Sequence, residues 1–398
     1  MLQLGRSPAG MLANRRRMPA GPRACPSSVA AARLLAEERS DCLVARAVYE
    51  DVASLPEPQW RDNQLRWSRP AGVEQVQAPP GAPPIVVLPG FGNATTDYTE
   101  PFGNREAALA TRLEVRGWRP FVVPVQRKDW FRVARGLLTR GFWRGGLTTD
   151  PGYTWYLERV AETVERALRE TGAEQVVLVG HSAGGWLGRA YLGDQRYQPA
   201  GGADDAAAAA AAPQAKPGTA GAAPNPRVAA VVTLGSPQRP PPPEKKRDMT
   251  GGAQGWVDRT YPGAFFAGAG VRYVTVCGRT VRGHRDFPRQ REGPRIPEEY
   301  AYDSYTEVCG DGEGVAGDCV VPLGSAMLSG ARQVVLDGVY HSMSRIGTFD
   351  EESGVVWYGS EDVLDCWLGP LVAELQRGPA AAAEALVAAV EDGEAAAA

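Results

Sequence analysis

The chain has no uninterrupted apolar run of about 18 residues, which is the length that a transmembrane helix needs. It also lacks an excess of charge of one sign, because 43 basic and 46 acidic residues leave a formal charge of −3. These two absences argue against a membrane-spanning protein and against a chain that its overall charge draws to nucleic acid. Both leave a peripheral contact with a membrane surface open.

Cysteine is scarce and follows no known pattern. The six cysteines form no CxxC pair and no Cys/His cluster at zinc spacing; they are Cys25, Cys42, Cys277, Cys309, Cys319 and Cys366. We interpret them as separate reduced thiols, as is usual inside cells. The alternative is a Cys309–Cys319 bridge, because both residues lie in one predicted loop beside a candidate catalytic acid.

Acidic residues are absent before Glu37, whereas residues 1–35 contain six arginines among Ser, Ala and Pro. An arginine-rich, acid-free start without a continuous apolar core is typical of organelle transit peptides and not of secretory signals. We therefore predict that residues 1–35 are a transit peptide. The alternative is a basic tail without a targeting role.

The length of 398 residues fits one large domain or two ordinary ones, and 43 % hydrophobic residues suffice for a sizeable core. Two segments are dominated by alanine and can bury little apolar surface. The predicted organisation is a helix and linker at 36–79, a main domain at 80–376 with a low-complexity insertion at 198–226, and an alanine-rich tail at 377–398.

Short apolar runs alternate with helical patterns along the main domain. The runs cover residues 85–88, 121–125, 176–179, 228–234, 271–277 and 333–336. Continuous runs of this kind indicate strands that are buried on both faces. Helices are predicted between them, clearest at 154–170, where the apolar residues share one face, and also at 105–115. The alternation predicts an α/β fold with a mostly parallel sheet and helices on both faces.

The segment 180–184, Gly-His-Ser-Ala-Gly, lies between a predicted strand and a predicted helix. A serine on such a tight turn holds its hydroxyl where a base can reach it, so we predict Ser182 as a nucleophile. The segment 89–92, Pro-Gly-Phe-Gly, closes the first predicted strand. In such sites one backbone N–H follows the nucleophile and another lies in an earlier loop, which predicts an oxyanion hole from Ala183 and Phe91.

The chain has three histidines to serve as the base. His181 adjoins the nucleophile and is predicted to pack or to make a structural hydrogen bond, and His284 lies in a basic loop. His341 comes last in the chain, as the order Ser…Asp…His requires, and we predict it as the general base.

The acid that orients the histidine should lie between the last two strands of the sheet. The candidates are Asp286, Asp303, Asp311 and Asp318. We favour Asp318, which stands shortly before the final strand and would hold the tautomer of His341. Asp311, between two glycines, stays the rival. This chemistry predicts no metal and no organic cofactor.

Five segments together match the pattern of a known family. They are Leu88-Pro89-Gly90-Phe91-Gly92-Asn93, Gly180-His181-Ser182-Ala183-Gly184-Gly185-Trp186, Leu234-Gly235-Ser236-Pro237, Asp318-Cys319-Val320-Val321-Pro322 and Gly338-Val339-Tyr340-His341-Ser342. They resemble lipase-like α/β-hydrolases of plants, algae and cyanobacteria, which are distantly similar to the GPI inositol-deacylase type. The resemblance covers roughly residues 80–375. It implies the α/β-hydrolase fold, ester hydrolysis on lipid-like substrates and, with the arginine-rich start, a chloroplast location, with mitochondrion or cytoplasm as alternatives.

Aromatic and basic residues are interleaved after the second predicted strand. The aromatic residues that we predict to bind substrate are Trp130, Phe131, Phe142 and Trp143. Such a mixture suits an acyl pocket or a contact at the boundary between lipid and water. The alternative is that the aromatics are core and the arginines a solvated face. For the whole chain we predict a serine esterase; the alternatives are an acyltransferase with the same triad, or an inactive binding protein.

Overall fold

The structure, a computed structural model, describes residues 55–199, 223–285, 296–342 and 355–377. The predicted transit peptide, most of the alanine-rich insertion and nearly all of the tail lie outside these residues. So do Cys25, Cys42 and Asp286.

Six parallel strands form the central sheet, in the order β2-β1-β3-β4-β5-β8. Two further strands pair as a short antiparallel ribbon. The strands are β1 (Ile85–Leu88), β2 (Pro120–Val122), β3 (Val176–His181), β4 (Val228–Leu234), β5 (Arg272–Arg279), β6 (Val281–Arg282), β7 (Ala316–Gly317) and β8 (Arg332–Asp337). Every one of the six predicted apolar runs overlaps a strand of the central sheet, so that part of the prediction is confirmed.

Both faces of the sheet are buried, which explains why its strands read as continuous apolar runs. Along β3, Val176 and Leu178 join one hydrophobic cluster, while Val177 and Val179 join another on the opposite face. Successive side chains of a strand point to opposite faces, so two separate cores form. The predicted parallel sheet with two covered faces is therefore confirmed.

Helices cover both faces of the sheet. The α-helices are α1 (Thr96–Thr99), α2 (Leu109–Val115), α3 (Arg140–Trp143), α4 (Thr154–Thr171), α5 (Ala183–Gly193), α6 (Ala253–Thr260), α7 (Pro297–Cys309), α8 (Leu323–Ala326) and α9 (Glu361–Gln376). Residues of α4, α5 and α6 belong to one core, and residues of α2 and α9 to the other. The 3₁₀ segments are Pro101–Gly103, Arg127–Leu138, Gln195–Tyr197 and Ala267–Ala269.

Two predicted elements differ from the structure. The helix predicted at 105–115 begins only at Leu109, because the Asn104 side chain accepts the amides of Glu106 and Ala107 and holds a turn there. Residues 278–317, for which no strand or helix was predicted, contain the ribbon strands and α7. The α7 sequence is polar, so its apolar periodicity is weak and gave no signal.

The described part of the predicted linker, residues 55–79, hydrogen-bonds to the main domain. The Leu65 amide donates to the carbonyl of Thr280 at 2.7 Å, and the guanidinium of Arg69 contacts the carboxylate of Asp365 at 3.0 Å. These bonds fix the segment as an irregular strap over the sheet and over α9.

No described helix combines the length and the apolar character needed to cross a bilayer. No disulfide joins any two of the four described cysteines. Cys309 ends α7 and Cys319 lies in the turn after β7, so the expectation of a single loop holding both was wrong. Cys319 is buried, and its Sγ lies 3.6 Å from the Pro297 carbonyl oxygen.

Candidate active site

The predicted triad and oxyanion-hole residues converge on the carboxyl edge of the parallel sheet, where α/β proteins commonly place their sites. Ser182 follows β3, and the loop 89–92 follows β1. Gly235 follows β4, and His341 follows β8 after a short turn. These four strands belong to one sheet and end at the same edge, which brings distant segments of sequence to one place.

Ser182 lies on a strained turn between β3 and α5. Its backbone angles are φ 52° and ψ −126°, a conformation that costs a residue with a side chain about 1–3 kcal/mol. The turn also needs its glycines. A Cβ on Gly184 would strike the Leu88 carbonyl, and one on Gly185 would strike the side chain of Ser236. The hydroxyl-bearing residue is therefore held in a tight elbow and remains partly exposed.

The loop predicted to form the oxyanion hole packs against this elbow. A Cβ added to Gly90 would lie only 2.7 Å from the Cβ of Ser182. Within the described residues, neither the amide of Phe91 nor that of Ala183 has a hydrogen-bond acceptor. Ala183 is the first residue of α5, where an amide has no intrahelical partner. Both predicted donors are thus free at the sheet edge.

Asp318 and His341 are in direct contact. The Nδ1 of His341 lies 2.7 Å from Oδ2 of Asp318, and both residues are buried. The other carboxylate oxygen accepts the amides of Val320 at 3.0 Å and Val321 at 2.7 Å. An ionised Asp318 accepts a proton-bearing Nδ1, which leaves Nε2 of the imidazole as the basic nitrogen.

Tyr358, which sequence reasoning missed, also contacts this pair. Its hydroxyl donates to Oδ2 of Asp318 at 2.6 Å and accepts the amide of Gly278 at 2.8 Å. Burial raises the pKa of Tyr358 well above its usual value, so the hydroxyl keeps its proton. No motif surrounds this tyrosine, and no signal in a single sequence points to it.

The rival acids lie elsewhere. Asp311 is exposed, and its carboxylate is 3.8 Å from the ammonium of Lys245. Asp303 pairs with Arg285 at 3.0 Å. Of the described candidates, the structure places Asp318 beside His341.

Ser182 and His341 are neighbours across the end of β4. The Ser182 amide donates to the carbonyl of Leu234 at 2.9 Å. A Cβ on the next residue, Gly235, would lie 2.9 Å from Nδ1 of His341 and would also meet the carboxylate of Asp318. Among the described residues no hydrogen bond joins the Ser182 hydroxyl to the imidazole. Catalytic hydrogen bonds are often long without substrate and shorten when it binds.

His181 connects the oxyanion loop to His341. Its Nε2 donates to the carbonyl of His341 at 2.9 Å, and its Nδ1 accepts from the hydroxyl of Tyr98 at 2.7 Å. The Tyr98 oxygen in turn accepts the Gly90 amide at 3.0 Å and the Asn93 side-chain amide at 2.9 Å. The structural role expected for His181 is observed, and Tyr98 is a second residue that sequence reasoning missed.

Burial determines the protonation of His181. Because the His181 ring is fully enclosed, and because the imidazole of His341 lies nearby, the pKa of His181 falls from 6.5 to about 3. The imidazole is therefore neutral at physiological pH, as its two hydrogen bonds require. A charged His181 would lose its acceptor at Nδ1.

The four aromatics predicted to bind substrate divide into two groups. Trp130 is buried, its ring lies 5.1 Å from that of Phe91, and its Nε1 donates to the carbonyl of Asn93. Phe131, Phe142 and Trp143 have no ring contact or hydrogen bond with the Ser182, Asp318 or His341 side chains in the described residues. Trp130 thus supports the oxyanion loop, whereas the other three make no ring contact or hydrogen bond with the triad among the described residues.

A groove of about 910 Å³ runs beside the oxyanion loop. Residues 94–96 and 124–129 line it, together with Arg159. Ser182, Asp318 and His341 do not line it, so it borders the site and is not its centre. No described group of three or more His, Cys, Asp or Glu residues is arranged to hold a metal ion.

No protein-family model matches the chain, and no curated protein matches its sequence. Among solved structures, the chain is similar to the lipase BlEst2 of Bacillus licheniformis, with 14 % identity, 76 % of this chain and 96 % of the other covered, and a TM-score of 0.38. It is also similar to the lin2722 gene product of Listeria innocua, with 11 % identity, 69 % of this chain and 98 % of the other covered, and a TM-score of 0.32. A third similar structure is EstA of Clostridium botulinum, with 13 % identity, 86 % of this chain and 98 % of the other covered, and a TM-score of 0.32.

Similarity at this level carries no argument about chemistry, so the functional case depends on the site itself. The parallel sheet with helices on both faces, and the serine elbow between β3 and α5, are the architecture of the α/β-hydrolase fold. The fold class predicted from the sequence is confirmed.

Proposed function

We propose that this chain is a serine hydrolase that cleaves carboxylic esters, with lipid acyl esters as its substrates. Ser182 is the nucleophile, His341 the general base and Asp318 the acid that orients it. One observation carries the proposal: a histidine held by a buried aspartate at 2.7 Å lies at the same sheet edge as a strained serine elbow.

In the proposed reaction the Ser182 oxygen attacks the ester carbonyl while Nε2 of His341 takes the hydroxyl proton. The C–O bond to the alcohol then breaks, and His341 returns the proton to the departing alkoxide. Water repeats the sequence on the acyl-enzyme, losing one proton to His341 and releasing the acid and the free serine. The free amides of Phe91 and Ala183 supply donors to the oxyanion, each worth on the order of 3 kcal/mol.

The surroundings of Asp318 support its assigned role. Two backbone amides and the Tyr358 hydroxyl hold its carboxylate against the imidazole, where it can stabilise an imidazolium. The same contacts fix the direction in which the imidazole points. An acid that is solvated, like Asp311, could provide neither effect.

The apolar surroundings of the oxyanion loop support acyl substrates. The exposed ring of Phe91 lies against Trp130, and the groove that includes Ala94, Pro124 and Val125 in its lining runs beside the same loop. An ester bound in the oxyanion hole would have these surfaces beside it. Apolar walls with a few placed polar groups are typical of sites for small organic ligands.

The test is labelling of the purified chain with a fluorophosphonate probe, together with turnover of a soluble p-nitrophenyl ester. Ser182→Ala should abolish both, because the nucleophile is missing. Ser68→Ala, which alters an exposed serine far along the strap, should match the unaltered chain. Labelling that persists in Ser182→Ala, with the adduct on another serine, would refute the assignment.

Product analysis separates hydrolysis from acyl transfer. With a small acceptor alcohol added to the ester, a hydrolase releases mainly the free acid. An acyltransferase forms mainly the new ester. Our proposal expects the free acid to dominate, and a dominant new ester would replace it with the transferase alternative.

A further inference from the structure

Residues 127–144, hereafter the 127–144 surface, form an exposed ridge of one 3₁₀ segment followed by the short helix α3. Large apolar side chains protrude from it. Phe131 is 81 % exposed, Leu138 is 89 % exposed and Trp143 is 64 % exposed. Single exposed apolar residues are ordinary, but several in one short segment mark a surface that meets something apolar.

The same segment carries concentrated positive charge. Its six basic residues are all exposed; they are Arg127, Lys128, Arg132, Arg135, Arg140 and Arg144. Its one acidic residue, Asp129, is buried and pairs with Arg159 at 2.6 Å. Since the whole chain has a formal charge of −3, this cluster is a local feature and not a reflection of overall composition.

Most of these cations have no acidic partner. Arg127 pairs with Asp97, and Arg132 lies 3.7 Å from Asp129. The other four cations form no ion pair with any residue that the structure describes; they are Lys128, Arg135, Arg140 and Arg144. Their charge is therefore available to an anionic partner.

A second segment extends the surface. The guanidinium of Arg247 lies 4.7 Å from the ring of Phe142 and 4.9 Å from that of Trp143, and it donates to the Phe142 carbonyl at 2.9 Å. Nearby along the chain, Met249 is 68 % exposed. Apolar and cationic groups thus remain mixed beyond the 127–144 surface itself.

The surface is attached firmly beside the candidate active site. Its buried residue Trp130 contacts Phe91 and donates to Asn93, both in the loop that follows β1. At its other end the Leu147 amide donates to the Gly251 carbonyl at 3.0 Å. A body that covered the ridge would therefore lie close to the oxyanion loop.

We propose that the 127–144 surface docks this chain on an anionic lipid bilayer. The exposed apolar side chains would enter the boundary between headgroups and acyl chains, while the unpaired cations would meet lipid phosphates. A nucleic acid would use the cations and the aromatic rings, but it would leave aliphatic residues such as Leu138 and Met249 without a role. The proposal deepens the proposed function by naming the anionic membrane surface that presents the substrate.

The experiment measures sedimentation of the full chain with two kinds of vesicle: phosphatidylcholine alone, and phosphatidylcholine mixed with phosphatidylglycerol. We expect the mixed vesicles to bind at least about tenfold more tightly at low salt, and the difference to shrink as salt is raised. Equal binding of both vesicles, or tighter binding of a single-stranded oligonucleotide than of mixed vesicles, would overturn the proposal.

Variants locate the effect. Arg135→Ser with Arg140→Ser should weaken binding to mixed vesicles about tenfold or more, and Leu138→Ser should weaken it further. The matched control, Arg105→Ser with Arg169→Ser, removes the same charge from exposed positions outside the surface and should bind like the unaltered chain. The N-terminal arginines are common to all variants and cannot explain a difference between them. Weaker vesicle binding by Arg135→Ser with Arg140→Ser than by the control supports the proposal, and equal binding by the two double variants overturns it.

The same variants keep this proposal separate from the proposed function. Turnover of a soluble ester by Arg135→Ser with Arg140→Ser should equal that of the unaltered chain, and Ser182→Ala should bind vesicles normally. Loss of turnover and labelling with retained vesicle preference would count against the hydrolase proposal alone. Loss of the preference for anionic vesicles with retained labelling would count against the surface alone.

Discussion

The triad edge and the 127–144 surface adjoin each other, yet they differ in burial and in hydrogen bonding. At the edge, Asp318 and His341 are enclosed, and the aspartate accepts four hydrogen bonds. On the surface, most cations have no partner among the described residues, and rings as large as Trp143 face solvent. The polar groups of the triad edge are paired within the chain, whereas most cations of the 127–144 surface are available to a partner molecule.

The two regions should therefore respond differently to substitution. At the edge, a Cβ added to Gly184 or Gly185 would overlap a neighbouring atom, so the identity of each residue is fixed by its contacts. On the surface, one arginine can replace another in function, because the net charge and the apolar area decide binding. Single changes should be severe at the edge and mild on the surface.

The largest effect is expected at Asp318. Asp318→Asn keeps the shape but allows the wrong tautomer of His341, so kcat for a soluble ester should fall by about 10⁴-fold, as for comparable triads. The measurement is steady-state turnover with the concentration of active sites known from fluorophosphonate titration.

Asp311→Asn is the matched control for this prediction. Its carboxylate faces solvent and Lys245, so turnover should stay within about twofold of the unaltered chain. If Asp311→Asn were the slow variant and Asp318→Asn the active one, the assignment of the acid would be reversed, and with it the contrast between buried edge and exposed surface.

A smaller effect is expected from pH, through His181. The pKa is about 3 in the folded chain and 6.5 in the unfolded one, so between these values the unfolded state binds a proton that the folded state does not. The stability that neutral His181 provides is thus present above about pH 6.5 and is lost as pH falls toward 3, at about 1.4 kcal/mol per pH unit.

His181→Gln removes this titration. The free energy of unfolding, from urea curves between about pH 7 and pH 4, should fall less steeply with acid for the variant than for the unaltered chain. Carboxylates titrate alike in both, so the difference between the two slopes isolates the histidine. Parallel slopes would mean that the His181 site admits a proton, and the edge would be less enclosed than its contacts indicate.

The fold was largely predictable because burial on both faces leaves a direct signal in the sequence. The strands of the central sheet read as continuous apolar runs, and α4 shows a clear apolar stripe that ends at Gly172, whose φ of 71° suits a helix end. Helix α7 was missed because it buries few residues, and the start of α2 was misplaced because Asn104 binds nearby amides.

The site was predictable only where its chemistry leaves a local pattern. Ser182 stands between glycines that the turn requires, and His341 is one of three histidines, so both could be found. Tyr98 and Tyr358 act through long-range contacts to His181 and Asp318, and a single tyrosine among thirteen carries no mark of such a partner. Which aspartate meets His341 likewise depends on how the chain folds between β5 and β8.

The smallest effect is expected on the surface. Leu138→Ala removes a side chain that is almost fully exposed, so the free energy of unfolding should change by less than about 0.5 kcal/mol. Leu178→Ala makes the same chemical change inside β3, where the side chain is fully buried, and should cost about 2–5 kcal/mol. Urea unfolding of both variants measures the pair. A large loss of unfolding free energy in Leu138→Ala would mean that this leucine packs within the chain. It would then not be an exposed apolar side chain through which the 127–144 surface could contact a membrane.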